Sequence, residues 1–373
     1  MRPLRVLLGA LSAAAIGVAV DAGCNVWASL ENCSADSDCP NGRTCAVERV
    51  CVTSPGPDSS SDASIADARP ADSGHILDAG TVDADAAPAR ICDSTKAFGT
   101  PVLVAGLEGQ ETFSARLSAD ELTMFYAIMT ATNGTDIYQA TRSMTDASFE
   151  SNGPMPSVNT AADEYWPTLS ADGRLVFFES GRSLTPDEAG VYHNDQARIW
   201  SSSRVSVLSD FGPPGIDTLF VVDGGAEAAP YLHPSGRSLY FASGARGGFG
   251  DIDLFVAMIN QSGVVTSVNN IAAVNSPVEE NMPVVSADEL ELYFARFDQV
   301  LNTTRNIWVS RRTQKNLPFG APMLANELNT VSDEFPSFLS ADGCRLFFIS
   351  NRPAAIDTSD AAPPPYRVWV AER

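Results

Sequence analysis

The stretch Glu164-Tyr-Trp-Pro-Thr-Leu-Ser-Ala-Asp-Gly-Arg-Leu-Val-Phe-Phe-Glu-Ser-Gly-Arg182 recurs along the chain in recognisable copies. Each copy contains a small polar turn, and the turns begin at Ser118, Ser170, His233, Ser286 and Ser340. The intervals between these turns are 52, 63, 53 and 54 residues. Repetition at a nearly constant period of this size indicates an array of similar structural units. The sequence therefore predicts a fold built from five such units.

Each unit has the pattern of a four-stranded antiparallel sheet. A first strand leads into the turn, and a short aromatic strand such as Leu175-Val-Phe-Phe178 follows it. A third strand begins at segments such as Arg198-Ile-Trp200. A fourth opens on Phe-Gly-x-Pro, as at Phe211-Gly-Pro-Pro214 and Phe319-Gly-Ala-Pro322. Four strands per unit are typical of a propeller blade, so we predict an all-β, five-bladed β-propeller.

The turn residues divide the copies into two groups. Asp172-Gly173, Ser235-Gly236 and Asp342-Gly343 suit a hairpin turn whose backbone needs a positive φ. The first and fourth copies read Asp120-Glu121 and Asp288-Glu289 instead. Because a glutamate seldom adopts a positive φ, these two copies are predicted to use another turn type.

The two ends of the repeat region complement each other. The region begins with Phe98-Gly-Thr-Pro-Val-Leu-Val104, which matches the last strand of a blade, and the C-terminus stops at the third strand Arg367–Arg373. We therefore predict that the N-terminal strand completes the fifth blade and removes its exposed edge. This closure also gives Cys92 and Cys344 the opportunity to form a disulfide.

From about residue 92 to the end, the repeat resembles the TolB-type β-propeller repeat of bacterial envelope proteins. The resemblance rests on Asn159-Thr160 with Asp163-Glu164, on Asn329-Thr330 with Asp333-Glu334, and on the stretch 239–255. The first copy departs from the pattern because it lacks the turn glycine and has no arginine after its second strand. The resemblance implies a binding or scaffolding module of the cell envelope rather than an enzyme.

The N-terminus has the character of an export signal. A basic start, Met1–Arg5, precedes the apolar run Val6–Val20, which is too short to cross a membrane comfortably. Two processing routes are open: cleavage after Ala22, or lipoprotein processing before Cys24. The small residues before Cys24 resemble a lipobox, although Asp21 occupies a position that is usually aliphatic. We expect an exported protein of the outer membrane or periplasm that touches a membrane only through a lipid on Cys24.

The seven cysteines support that expectation, because lipidation of Cys24 leaves an even number to pair. Four of them, spaced by five intervening residues, lie in a polar segment too short to form a core. Zinc is the competing interpretation, but structural zinc sites favour closer pairs, so two disulfides are predicted and no metal site. The disulfide candidates are Cys33, Cys39, Cys45, Cys51, Cys92 and Cys344.

A segment rich in Pro, Ser, Ala and Asp follows the cysteines and cannot bury enough apolar surface to fold. We predict that it is a disordered linker. The predicted organisation is a signal peptide (1–23), a Cys-rich disulfide module (24–52), the linker (53–91) and the β-propeller (92–373). A net charge of −22 argues against nucleic acid as a partner. The predicted partner is a protein or glycan of the envelope, and the chain is expected to be a monomer without a cofactor.

Charged residues recur within the repeat. An acid lies six residues before the turn in four copies, with Glu111 displaced by one position in the first, and an arginine follows the second strand of the same four. One hypothesis is a ring of acids around the central channel that binds a cation or a basic peptide. The other is a structural Glu/Arg pair in each blade, which we favour. The acids are Glu164, Glu227, Glu280 and Glu334, and the arginines are Arg182, Arg246, Arg296 and Arg352.

Catalytic signatures are missing from the sequence. It contains no Gly-x-Ser-x-Gly elbow and no His-Glu-x-x-His motif, and His75, His193 and His233 lack ligand spacing. We therefore predict no catalytic residues. The alternative is a carbohydrate-active hydrolase with two carboxylates of different environment in the channel. Acids that are equivalent by repeat fit that alternative less well than they fit an architectural role.

Overall fold

The computed structural model describes residues 44–45, 51–52 and 92–373, apart from 131–133, 261–262, 298–303 and 358–363. The chain divides into two compact units, 1–84 and 85–373. In the first unit, strands β1 (Thr44–Cys45) and β2 (Cys51–Val52) pair antiparallel. The predicted signal peptide, Cys24, Cys33, Cys39 and the linker lie outside the described residues. The disulfides of the Cys-rich module therefore stay predictions.

The second unit is a five-bladed β-propeller, as predicted. Each blade is an antiparallel sheet whose first strand is innermost, and the blades follow one another along the chain. Blade I contains β4 (Thr112–Leu117), β5 (Thr123–Thr130), β6 (Gly134–Thr141) and β7 (Glu150–Pro154). Blade II contains β8 (Glu164–Leu169), β9 (Leu175–Arg182) and β10 (Asn194–Ser203). Blade III contains β11 (Glu227–Leu232), β12 (Ser238–Ser243), β13 (Asp253–Ile259) and β14 (Val265–Asn270).

Blades IV and V complete the circle. Blade IV contains β15 (Glu279–Val285), β16 (Glu291–Phe297), β17 (Arg305–Arg311) and β18 (Met323–Leu324). Blade V contains β19 (Glu334–Leu339), β20 (Arg345–Ser350) and β21 (Arg367–Glu372), together with β3 (Val102–Leu103) from the N-terminal side. Among the residues that the structure describes, no helix is long and apolar enough to cross a membrane.

Ring closure by the N-terminal strand is confirmed. Strand β3 pairs with β21, with Leu103 opposite Trp369 and Val102 opposite Val370. Beside this pairing, Gly99 donates a backbone hydrogen bond of 2.7 Å to the Glu372 carbonyl. The ends are also joined covalently, because a disulfide links Cys92 to Cys344, whose Cα atoms are 5.9 Å apart. The fifth blade is thus assembled from both ends of the repeat region.

The second strands supply the packing between blades. At one equivalent position of every second strand the aromatic side chain is completely buried, because blade sheets pack face to face and the strand lies in the middle of its sheet. These residues are Tyr126, Phe178, Phe241, Phe294 and Phe348. The short aromatic strands that defined the repeat are therefore its core.

The fourth strand predicted for blade II does not form. In place of a strand, the segment 211–215 makes an isolated bridge between Gly215 and Ser201 of β10. Pro213 and Pro214 lack the backbone N–H that a continuing ladder would need. The chain then turns into a short 3-10 segment, Thr218–Phe220.

The prediction of two turn types is wrong. Glu121 and Glu289 have φ values of 60° and 57°, close to the 65° of Gly173 in the equivalent position. Both glutamates adopt the left-handed conformation that was expected only of glycine. Each is held by contacts outside its own turn: Glu121 pairs with Arg345 of blade V at 2.6 Å, and Glu289 accepts a 2.8 Å bond from the Ser238 hydroxyl of blade III. These bonds between blades offset the conformational cost of the turn.

Candidate functional site

The four repeated acids lie where the inner strands begin. Glu164, Glu227 and Glu334 are the first residues of β8, β11 and β19, and Glu280 is the second residue of β15. All four side chains are completely buried. In blade I the equivalent position holds Thr112, while Glu111 beside it is exposed. Blade I thus lacks the acid, in agreement with the divergence of its sequence.

Each acid binds the arginine of its own blade. Ser180 of blade II adds a hydroxyl bond of 2.8 Å to Glu164, and Ser243 of blade III adds one of 2.6 Å to Glu227. Charge-assisted bonds of this kind are stronger than those between neutral groups. The four ion-pair distances are 3.0 Å for Arg182–Glu164, 3.0 Å for Arg246–Glu227, 2.8 Å for Arg296–Glu280 and 3.0 Å for Arg352–Glu334.

The arginines also hold the links between blades. Arg296 donates a 2.7 Å bond to the carbonyl of Val274, and Arg182 donates to the carbonyl of Val158. Both carbonyls belong to the segment that enters the blade from the preceding one. Arg182 also lies over the rings of Phe178 and Trp200, whose neighbours include the blade I core residue Phe125. Each Glu/Arg pair therefore joins its blade to the segment that enters from the preceding one, and no hydrogen bond among the described residues links one of the four acids to another.

Burial shifts the pKa values of these groups in the directions expected for charges removed from water. It raises the pKa of the Glu227, Glu280 and Glu334 carboxyls, against the opposing influence of their bonded partners. It lowers the pKa of the Arg182 and Arg352 guanidinium groups. With each carboxylate buried and bonded, the geometry supports the structural interpretation of the repeated acids.

The Asn-Thr and Asp-Glu motifs connect neighbouring blades. The Asn159 side chain bonds both the N–H and the C=O of Ile137 in the preceding blade, at 2.9 Å each. Asp163 accepts a 2.8 Å bond from the N–H of Thr135 in the same strand. The Asn275 side chain likewise bonds both the N–H and the C=O of Leu254, although a serine follows it where the motif has threonine. Asn329 binds both backbone groups of Ile307 in the same way, so an asparagine five residues before the buried glutamate identifies all three links.

The end of the propeller at which the inner strands begin, here called the start face, carries a group of aromatic side chains. Tyr366, which precedes β21, lies between Phe113 and Phe335, with ring centroids 6.0 and 5.8 Å away. Its hydroxyl donates a 2.7 Å bond to Asp333. Tyr165 occupies the position in blade II that Phe113 occupies in blade I, and its hydroxyl accepts a bond from Thr135. Phe113, Tyr165 and Tyr366 are only half-buried, so this face presents rings to solvent.

Two acids near the same face have no arginine partner among the described residues. Glu179 lies opposite Tyr165 in the pairing of β8 and β9 and accepts a 3.0 Å bond from the N–H of Ala229 in blade III. Burial, and then the nearby charge of Asp163, raise the pKa of Glu179 to about 7. Burial and the charges of Glu164 and Asp163 raise the pKa of Asp136 to about 6. Sequence analysis missed both residues: Glu179 has no acidic equivalent in the other blades, and Asp136 recurs only as Asp253 in blade III.

The inner strands are bulged beside these acids. Trp166, Ala229 and Met282, the equivalent residues of three inner strands, have φ values of 48°, 48° and 52°. Such left-handed residues are uncommon outside glycine and mark positions that the surrounding structure holds in place. The Trp166 N–H bonds the hydroxyl of Ser114 at 3.0 Å, and that of Ala229 bonds Glu179. The bulges of β8 and β11 therefore bind each inner strand to the preceding blade just inside the start face.

The raised pKa of Glu179 predicts a pH-dependent stability. A carboxyl whose pKa is higher in the folded than in the unfolded state contributes stability below its unfolded pKa, and loses it as the pH rises through the folded value. Glu179→Gln should therefore match the wild type near pH 4.5 and exceed its unfolding free energy by about 1 to 3 kcal/mol at pH 8. Urea denaturation at both pH values measures this difference. Glu188→Gln, at an exposed site, is the control, and a constant difference across the pH range would contradict the prediction.

The sequence predicted no metal site, but the structure contains one group of side chains whose donor atoms lie close enough to bind a metal ion. In the part of the chain that the structure describes, Cys92, Asp342 and Cys344 place three potential donor atoms close together. Both of these cysteines belong to the disulfide. Their sulfur atoms are therefore not available as thiolate ligands.

Comparisons with known proteins bear on the fold alone. No protein-family model and no curated protein matches the sequence. Similar solved structures include TolB from Acinetobacter baumannii, with 14% identity, a TM-score of 0.43 and coverage of 70% of this chain; the chain spans only 55% of that structure. They also include a thermostable family-43 glycoside hydrolase, with 13% identity, a TM-score of 0.47 and coverage of 73% and 91%. A family-43 β-xylosidase/α-arabinofuranosidase from a compost metagenome has 11% identity, a TM-score of 0.47 and coverage of 73% and 95%.

Proposed function

We propose that the chain is a non-catalytic binding module of the cell envelope, which presents the start face of its propeller to a protein or glycan partner. The observation that carries the proposal is the group of half-buried rings formed by Phe113, Tyr165 and Tyr366 beside acids without arginine partners. Aromatic side chains offer large contact area at a small entropic cost, and they are enriched in binding sites.

The charge of the chain limits the partner. A net charge of −22 disfavours nucleic acid and other anionic surfaces. Glu179, which is half-buried, provides a carboxyl group that can accept hydrogen bonds from sugar hydroxyls or from a peptide backbone. The module then acts as a monomer and needs no cofactor.

Site-specific cross-linking tests which face is used. A photo-reactive amino acid is placed at Phe113 or Tyr165 on the start face of the full-length protein in its native cells. Leu208, which is 96% exposed in the turn after β10 at the opposite face, serves as the matched control position. A discrete adduct from the first two positions and none from Leu208 supports the proposal. Adducts from Leu208 alone, at equal protein levels, would contradict it.

Anchoring to a membrane is a further part of the proposal, and it rests on the sequence around Cys24 and on the odd number of cysteines. Cys24→Ser is expected to move the protein from the membrane fraction to the soluble fraction while its melting temperature stays unchanged. Stable anchoring needs more than one acyl chain, since a single chain binds only marginally. Fractionation together with metabolic labelling by a fatty acid measures both outcomes. Unlabelled wild-type protein would show that cleavage after Ala22 is the correct route.

A carbohydrate-active hydrolase is the second candidate, and one observation favours it. Glu179 has a pKa raised to about 7 and lies near Asp163, so a protonated carboxyl is available near neutral pH beside another carboxyl group. Glycosidases use one carboxyl as an acid and another as a base or nucleophile. Release of reducing sugar from plant or envelope polysaccharides by the wild type, but not by Glu179→Gln, would establish this activity. No release by either protein would leave the binding module, and equal release by both would show an activity that does not depend on Glu179.

A further inference from the structure

Arg116 is a buried cation that has no carboxylate partner in the described part of the chain. It belongs to β4, the inner strand of blade I, and its side chain is 1% exposed. One guanidinium nitrogen, Nη1, donates to the Ser337 carbonyl of blade V. The other two, Nε and Nη2, find no hydrogen-bond partner among the described residues. The guanidinium lies over the rings of Trp166 and Tyr231, 5.2 Å from each centroid. It therefore contacts the inner strands of blades II and III at the central channel.

The other buried arginines of the described chain do not share this property. Each of them has an acid within 3.1 Å; the group comprises Arg182, Arg198, Arg352 and Arg367. Burial lowers the pKa of Arg116 to about 9, so its guanidinium is still charged at neutral pH. A buried charge that is neither paired nor fully hydrogen-bonded is costly. A negative charge beside the guanidinium would remove this cost, and none of the residues that the structure describes supplies one.

A small cavity adjoins this guanidinium. It lies near the end of the central channel opposite the start face, and its volume is about 30 Å³. The lining consists of residues from inner strands and the turns that follow them, including Arg116, Thr168, Tyr231 and Phe338, and contains no acidic side chain. The Thr168 oxygen accepts the N–H of Leu232 at 3.0 Å, so its own hydroxyl proton is left to donate. A space of this size holds one small ion or a water molecule and excludes phosphate and sugars.

We propose that this cavity is a binding site for a small monovalent inorganic anion of the size of chloride, held by the guanidinium of Arg116. The Nε and Nη2 hydrogens would both point to the ion, and the Thr168 hydroxyl would add a third donor. The ion neutralises the charge of Arg116 where four inner strands meet. Its binding therefore stabilises the closed ring, since any ligand that binds only the folded state raises stability by mass action.

Thermal unfolding of the full-length protein tests this dependence. The melting temperature is measured over increasing sodium chloride, with sodium gluconate keeping the ionic strength constant. The wild type should gain about 3 °C for each tenfold rise in chloride above the dissociation constant. Arg116→Gln should lose this response whatever its own melting temperature. The matched control Arg174→Gln, at an exposed site, should keep it. An identical chloride response in the wild type and Arg116→Gln would overturn the proposal.

A second measurement does not depend on any variant. Crystals of the wild-type protein are soaked in sodium bromide, and the anomalous signal of bromide is located. A peak between Arg116 and Thr168 at the bromide concentration that raises the melting temperature supports the site. Bromide found only on the outer surface overturns the proposal, because the cavity beside Arg116 would then hold water and no anion. Occupancy seen only at molar bromide, with no change in the melting temperature, also overturns it.

Discussion

Deleting residues 92–106 is expected to lower the melting temperature of the protein by about 15 °C or more and to promote aggregation. The deletion removes the Cys92–Cys344 disulfide, which spans 252 residues and stabilises by about 5 kcal/mol on the chain-entropy model. It also removes Phe98, which is buried against Tyr293 and under the Arg373 guanidinium. Burial of that side chain adds about 2 to 3 kcal/mol, and the edge of β21 becomes exposed.

A deletion of equal length from the predicted linker, residues 70–84, is the matched control and should leave the melting temperature unchanged. Differential scanning calorimetry and light scattering of the two full-length variants measure stability and aggregation together. The closure strand would be dispensable if both deletions melted at the wild-type temperature. Phe98→Ala separates packing from the disulfide, because it keeps Cys92 and should cost about 3 to 5 kcal/mol.

Breaking one buried Glu/Arg pair is the second large effect that we expect. Glu164→Gln leaves Arg182, only 2% exposed, without its counter-charge, and should lower the unfolding free energy by about 3 to 5 kcal/mol. Arg182→Gln should have an effect of the same size, because it leaves the completely buried carboxylate of Glu164 without a counter-charge. Since each single variant already abolishes the pair, the double variant should cost less than the sum of the two.

Urea denaturation of the four proteins closes this double-mutant cycle. A coupling energy of about 2 kcal/mol or more identifies the pair as structural. Arg174→Gln is the control, because its contact with Asp172 is exposed and such pairs contribute at most about 1 kcal/mol. Additive single effects would show that the two groups do not stabilise one another. The same cycle on Glu334 and Arg352 checks that the result belongs to the repeat.

What the sequence could predict is what the blades share. The turn spacing and the aromatic second strands reveal the number of blades, because every blade must bury the same face against its neighbour. The closing strand was predictable from the match between Phe98-Gly-Thr-Pro101 and Phe319-Gly-Ala-Pro322. The turns at Glu121 and Glu289 were not, since bonds from other blades hold them in a conformation that local preference disfavours.

What distinguishes one blade from the others was missed. Arg116 occupies a position that holds Thr168, Tyr231, Val284 and Phe338 in the other four blades. Glu179 stands where the equivalent residues are Ala127, Ala242, Ala295 and Ile349. A comparison of repeats finds common features and averages out such single substitutions. In a repeat protein, the architecture is encoded in what recurs, and the residues with distinctive chemistry are the exceptions.

The pairing of β3 with β21 also fixes an order of events during folding. Blades I to IV consist of neighbouring hairpins and can form from local segments as the chain emerges. Strand β3, by contrast, has no partner until β21 is present, because Val102 pairs with Val370. Contacts of such long sequence separation form slowly, since the entropy of closing the loop must be lost first. Ring closure is therefore the last step of folding. Until it occurs, β21 is an unpaired edge strand through which incompletely folded copies of the protein can associate.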